Sequence, residues 1–229
     1  MEYPGIKANA EKIKEELERI SGGKTKLLAA TKTVDPDRIA YAVNECGIRY
    51  IGENRVQELL EKYDRIKDLP CEIHFIGTLQ KNKVKYIIDK VSLIHSVDSI
   101  PLAEQIGREA VKRGLVMNVL CEVNIGYEPS KSGFLPEEVP AAFEKMLQID
   151  GIRPLGLMTM APICENKEDY SEFFNKTYRL FIDNSVKKID NRYEPILSMG
   201  MSDSYEAAAR CGSGMVRIGS AIFGQRIKK

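Results

Sequence analysis

Lys26-Leu27-Leu28-Ala29-Ala30-Thr31-Lys32-Thr33-Val34 is a short apolar run with a lysine near its far end. It follows an amphipathic helical pattern over 7–20, closed by Ser21-Gly22-Gly23, and precedes another over 37–46. An apolar run of this length between turn signals and helical patterns reads as a buried strand. Seven more such runs lie near residues 48–52, 72–77, 91–97, 116–125, 152–160, 194–199 and 214–219. Helical patterns separate them, over 54–65, 82–89, 100–113, 136–148, 168–189 and 202–211, and Pro36 and Pro136 sit where a first helical turn tolerates proline. Strands alternating with single helices imply parallel pairing. Eight units predict an α/β chain folded as one (β/α)8 TIM barrel over residues 1–229, with an extra N-terminal helix. The alternative, an open doubly wound sheet, needs fewer strands and a glycine-rich phosphate loop after its first strand. No Gly-x-Gly-x-x-Gly follows strand 1.

Composition narrows the partners. The 34 Lys and Arg nearly balance the 33 Asp and Glu, so no global field favours nucleic acid or an anionic membrane. Cys46, Cys71, Cys121, Cys164 and Cys211 are odd in number, widely spaced and without a Cys-x-x-Cys. That pattern argues against a disulfide framework or a metal site and suits a reducing cytoplasm. The first residues carry no apolar signal region, and no apolar stretch is long enough to span a bilayer. Lys81, Lys83, Lys85 and Lys90 alternate with Val84, Ile87 and Ile88, as on the solvated face of one helix.

Barrel enzymes place their chemistry at the C-terminal ends of the strands and commonly hold phosphate in the loops after strands 7 and 8. Strand 1 ends at Lys32. Partial desolvation there favours the neutral, nucleophilic amine that forms a Schiff base with an aldehyde; alternatively, the lysine simply snorkels from a strand end. Strand 7 ends in Ser198-Met199-Gly200-Met201-Ser202. Ser198 offers a hydroxyl, Gly200 allows close backbone approach, and a helix opening at Ser202-Asp203 would attract an anion. Simple capping by Ser202 or Asp203 is the plainer alternative. The turn at Gly219-Ser220 repeats the arrangement after strand 8. An aldehyde-capturing amine facing two phosphate-holding turns points to pyridoxal phosphate. Arg217, on strand 8, is costly to bury unpaired. It either meets the pyridine nitrogen of that cofactor or forms a structural ion pair with Glu122 or Glu53. His74 and His95 lie within strands and read as supporting core residues, with Met158 beside them at the end of strand 6. Asn54 and Asn82 stand at helix starts, as caps or as ligand contacts. The polar loop 126–133 follows strand 5 and lies at the site mouth.

These segments resemble a known family. Ala29-Ala30-Thr31-Lys32-Thr33, Gly52-Glu53-Asn54-Arg55-Val56-Gln57-Glu58 and His74-Phe75-Ile76-Gly77-Thr78-Leu79-Gln80-Lys81-Asn82-Lys83 carry the likeness. So do Ser130-Lys131-Ser132-Gly133, Gly156-Leu157-Met158-Thr159-Met160, Leu197-Ser198-Met199-Gly200-Met201-Ser202-Asp203 and Val216-Arg217-Ile218-Gly219-Ser220-Ala221-Ile222-Phe223-Gly224. Together they are similar to the pyridoxal phosphate homeostasis proteins of the YggS/PROSC type, whose fold is like the N-terminal barrel of alanine racemase. The resemblance implies Lys32 as the Schiff-base lysine. It implies Ser198, the Met199 backbone, Gly219 and Ser220 around the phosphate, Arg217 near the pyridine nitrogen and Asn54 beside the cofactor. Ser220 stands where many relatives carry threonine, which keeps the hydroxyl.

The same likeness raises two functions. A two-base racemase needs a proton acceptor on each face of its substrate adduct. In the racemases the second base is a tyrosine from an additional domain of a partner subunit, and this chain is expected to lack that domain. An arginine at the ring nitrogen also makes the ring a poorer electron sink. The expectation is therefore a cytoplasmic monomer that carries and buffers pyridoxal phosphate without appreciable catalysis, and whose partners are the cofactor and apo-enzymes that need it. The alternative is a weak amino-acid racemase.

Overall fold

A computed structural model of the chain describes residues 2–166 and 169–224. Eight strands form: Lys26–Ala30 (β1), Tyr50–Glu53 (β2), Glu72–Phe75 (β3), Leu93–Val97 (β4), Met117–Val123 (β5), Ile152–Thr159 (β6), Ile196–Ser198 (β7) and Met215–Ile218 (β8). They close in sequence order into one barrel, each parallel to both neighbours. All eight expected runs are therefore strands. Helices Pro4–Ser21 (α1), Pro36–Asn44 (α2), Val56–Ile66 (α3), Val84–Ile87 (α4), Ile100–Val111 (α5), Val139–Leu147 (α6), Tyr170–Phe181 (α7), Tyr205–Arg210 (α8) and Ser220–Phe223 (α9) surround it.

Local chemistry sets the element ends. In α1, Ile6, Ala10, Ile13 and Leu17 make one buried stripe packed on α8 and α9, and Gly22 turns left-handed to stop the helix. In α2, Asp35 accepts the Arg38 N–H at 3.1 Å and Pro36 fills the first turn. Several elements are shorter than their patterns. Lys32 and Thr33 lie beyond β1, in a turn. The 82–89 pattern is split into a 3-10 turn, Lys81–Lys83, and the single turn α4. The 168–189 pattern is α-helical only to Phe181 and then widens into a π turn, Ile182–Val186; its first residue lies outside the described residues, as do Met1 and 225–229. The expected helix at Ser202 starts instead at Tyr205, because residues 202–204 form a tight turn in which the Met201 N–H donates to Ser204 Oγ at 3.2 Å.

Alternation along the strands separates two cores. Leu27 and Ala29 of β1 face outward into the large layer between strands and helices, with Phe75, Phe143 and Phe174. Leu28 and Ala30 face inward with Ile76 and Met215. Leu93, Leu120, Leu155 and Met158 form the other inward cluster. This is the filled interior of a small barrel. The strand ends are crowded at the C-terminal rim. A Cβ on Gly77, just past β3, would lie 2.1 Å from the Asn54 backbone oxygen, just past β2. Gly77→Ala is expected to force these two strand ends apart and lower stability by about 2 kcal/mol, read as a lower urea midpoint at unchanged slope.

Candidate functional site

The turns after β7 and β8 meet at the rim. Ser220 Oγ donates to Ser202 Oγ at 3.1 Å, and the Ala221 N–H reaches the same oxygen at 3.4 Å. Gly200 has φ +97°, and a Cβ there would lie 2.5 Å from that of Ala208, so only glycine fits the turn. Gly219 approaches β1 closely, with the Ala30 oxygen 3.1 Å from where its Cβ would be. Ser220 is exposed and Met199 is buried. The result is a cup of two hydroxyls on glycine-containing turns, suited to an anion. Because α8 and α9 are only six and four residues long, hydroxyls and turn amides carry the cup rather than a helix dipole.

Across the β8–β1 seam sits Lys32, half-buried in the turn that follows β1. Both flanks of this turn are held from α3. Lys62, buried on α3, donates to the Thr31 carbonyl at 2.9 Å and pairs with Glu53 at 3.1 Å and Glu58 at 2.5 Å. Glu58 in turn accepts the Thr33 N–H. Thr33 has φ +63°, a conformation that a threonine keeps only when its surroundings fix it. Thr31 Oγ donates to Glu53 Oε1 at 2.7 Å. Burial pushes the Glu53 carboxyl up from its ordinary value, against the pull of Lys62.

Arg217 lies inside the barrel, 5% exposed. It donates to Ser198 Oγ at 2.7 Å and to the Thr159 carbonyl at 2.8 Å. No described carboxylate stands within ion-pair distance, and Glu53 pairs with Lys62 instead. Burial draws the guanidinium down to about 10, with Glu122 opposing, so it remains a cation at neutral pH. Glu122, buried on β5, is pushed up to about 7 by burial and then by Asp98, with Arg217 opposing. Below Arg217, His95 meets Ser198 Oγ at 3.0 Å and His74 at 2.9 Å. Met158, 1% exposed, packs under this group with Leu93, Leu120 and Leu155.

The structure thus brings Lys32, Arg217, Gly219 and Ser220 to adjoining strand ends, with Ser198 and Met199 beside them. Ser198 differs in detail: its hydroxyl points into the barrel, toward His95 and Arg217, and Ser202 offers the rim hydroxyl of that turn. Asn54 does not cap α3, whose cap position is Arg55; its Oδ1 is buried with no partner among the described residues. Asn82 is exposed on the 3-10 turn. The loop 126–133 packs on the β6 side of the rim, with Tyr127 against Lys176 and Gly126 against Pro162. Missed from sequence were the Glu53–Lys62–Glu58 cluster, of which only the i,i+4 spacing of Glu58 and Lys62 gave a sign, and Ser202 as more than a cap.

Glu122 gives a test of this electrostatic setting. Its carboxyl titrates near 7 in the fold against 4.5 ordinarily, so the folded chain holds the proton more tightly than the unfolded one. The stability it contributes is complete below about pH 4.5 and is lost as pH rises through 7. In Glu122→Gln this loss disappears. The stability difference, variant minus parent, is expected to rise in favour of the variant by about 2 kcal/mol between pH 5 and pH 8, measured by denaturation at each pH.

Four likenesses place the chain. A model of the alanine racemase N-terminal domain matches residues 4–227. A pyridoxal phosphate homeostasis protein of Aquifex aeolicus is 46% identical over 218 residues, 94% of each chain. The structure of PipY of Synechococcus elongatus PCC7942 with PLP bound is similar at TM-score 0.83 and 29% identity, over 94% of this chain and all of that one. An alanine racemase of Clostridium difficile 630 shares the fold alone, at TM-score 0.74 and 17% identity, and this chain spans 57% of its length. With a matching barrel and 46% identity along nearly its whole length, the chain belongs to the alanine racemase N-terminal-domain family, among the pyridoxal phosphate homeostasis proteins.

Proposed function

We propose that the protein binds pyridoxal phosphate at the C-terminal mouth of its barrel and carries and buffers it in the cytoplasm, the whole chain 1–229 acting as one monomeric binding unit. The observation that carries this is the placement of a half-buried lysine, held on both flanks, beside a two-hydroxyl cup on the adjoining strand. The residues suit the group. Lys32 supplies the amine for the aldehyde, and Ser202, Ser220, Gly219 and the Met199 turn supply the phosphate seat. Arg217 supplies a donor for the ring nitrogen, and the unpartnered Asn54 Oδ1 supplies an acceptor. Bound there, the cofactor brings an aldehyde and an electron-withdrawing ring.

The chain's own residues favour holding over turnover. Arg217 is a cation with donors only, so a ring nitrogen facing it receives a hydrogen bond and no proton. That leaves the ring a weak electron sink. Delivery to apo-enzymes lacking the cofactor is the use that remains. The relatives named as homeostasis proteins and the PLP-bound PipY structure support this reading. The fold shared with alanine racemase supports, as a second reading, a weak amino-acid racemase.

Three measurements test these readings. Borohydride treatment with pyridoxal phosphate, followed by peptide mass spectrometry, is expected to put one phosphopyridoxyl group on Lys32 and none in Lys32→Ala; an adduct spread over Lys81 and Lys83 would sink the assignment. Ser220→Ala should weaken cofactor affinity about tenfold, the value of one hydrogen bond to a charged group. Loss of α-deuterium from an amino acid at a rate well above that of free cofactor would replace the carrier by the racemase.

A further inference from the structure

The two histidines inside the barrel are not needed to contact a ligand, and neither faces the rim cup. They belong to a continuous chain. Glu72 Oε2 faces His74 Nε2 at 3.4 Å, His74 Nδ1 faces His95 Nε2 at 2.9 Å, and His95 Nδ1 faces Ser198 Oγ at 3.0 Å. Ser198 Oγ accepts from Arg217 at 2.7 Å. The chain runs from Glu72, whose side chain is 56% exposed at the start of β3, to the buried guanidinium of Arg217 on β8.

We propose that Glu72, His74 and His95 form a one-way line of hydrogen bonds that positions Ser198 and Arg217 from within the barrel. The direction follows from what each group is able to donate. Glu72 is a carboxylate, kept charged by its hydrogen bond from His74 and by Ser92 and Lys26 nearby, and it accepts only. The proton between it and His74 therefore sits on His74 Nε2. Burial disfavours a charged imidazole at both rings, with Lys26 adding to it and Glu72 opposing it at His74, and with His74 and Arg217 adding to it at His95, so each ring carries one proton. His74 Nδ1 is then an acceptor, and the proton shared with His95 sits on His95 Nε2. His95 Nδ1 is an acceptor in turn, and takes the Ser198 hydroxyl proton. That leaves a Ser198 lone pair for Arg217. The opposite direction would set an imidazole lone pair against the Glu72 carboxylate. Every polar atom along the line is satisfied, as a buried network requires.

The line fixes Arg217 without touching it. With Ser198 committed as an acceptor and the Thr159 carbonyl holding the second amino group, the guanidinium has one orientation. Glu72, His74 and His95 are thus positioning residues. Their effect on cofactor binding rests on the reading of the site given above; their proton arrangement does not.

The experiment separates the two. Long-range proton–nitrogen spectra of the protein labelled at histidine, without cofactor and at pH 7, are expected to show both rings as Nε2–H tautomers. A Nδ1–H tautomer or an imidazolium at either ring would overturn the line. Glu72→Gln, at a half-exposed position that folding tolerates, presents both a donor and an acceptor to His74. It should produce mixed tautomers at both rings, and in the cofactor-loaded protein a shifted absorption band with affinity about 2- to 10-fold weaker, the range of one net hydrogen bond. Glu72→Asp, which keeps an acceptor-only group, should restore the single tautomers and the band. Mixed tautomers with an unmoved band and affinity would refute the coupling to Arg217. Failure of the parent protein to bind pyridoxal phosphate would refute the proposed function and leave the tautomers to judge the line alone.

Discussion

A guanidinium closed off from water inside the barrel is the constraint around which the interior is arranged. Such a charge is not tolerated in an apolar core. Its neighbours must supply acceptors, and they must do so without a carboxylate at contact distance, which would neutralise it. The barrel answers with a serine hydroxyl and a main-chain carbonyl, then backs the hydroxyl with two imidazoles. The apolar clusters on either side, Leu28 with Met215 and Leu93 with Leu120, Leu155 and Met158, keep water from competing. Glu122 remains close enough to feel Arg217 yet is held near its titration midpoint rather than committed to an ion pair.

The lysine is handled in a contrasting way. Its turn is held by backbone contacts from a buried cluster, Glu53–Lys62–Glu58, while the side chain itself stays only half-buried. Rigid backbone around a lysine that is only partly buried suits reversible capture of a small aldehyde. The clamp is expensive in desolvation, as the raised Glu53 carboxyl records, and Glu53 leaves one oxygen without a partner among the described residues. Strain at Thr33 and an unmet carboxylate oxygen beside one lysine are the marks of a position kept for use rather than for stability.

The architecture was legible because burial on both faces writes itself into every strand as an apolar run. Eight runs and the intervening helical periods were enough for the barrel, and the barrel rule alone directed attention to the turns at 198–202 and 217–220. What was not legible depended on side-chain direction. Whether Ser198 points to the rim or inward is decided by pleat and by partners about a hundred residues away, such as His95. The same holds for Lys62, a helix lysine whose spacing from Glu58 says nothing of the packing that turns it toward β1 and β2. Histidines inside strands were recognised as supporting residues, yet nothing local to either shows that they face each other. The helix expected from Ser202 begins only at Tyr205, because Ser204 Oγ accepts the Met201 N–H and holds the preceding residues in a turn.

Closure of the ring between its first and last strands has a consequence for biosynthesis. Leu28 of β1 lies in register with Arg217 of β8, so the lysine turn and the serine cup face each other only across that final seam. A ribosome exposes Lys32 long before residues 198–220 exist. Throughout that interval neither the serine turns nor Arg217 stand beside it. A chain that stops before residues 198–220 therefore carries the lysine turn without the arrangement that faces it across the seam.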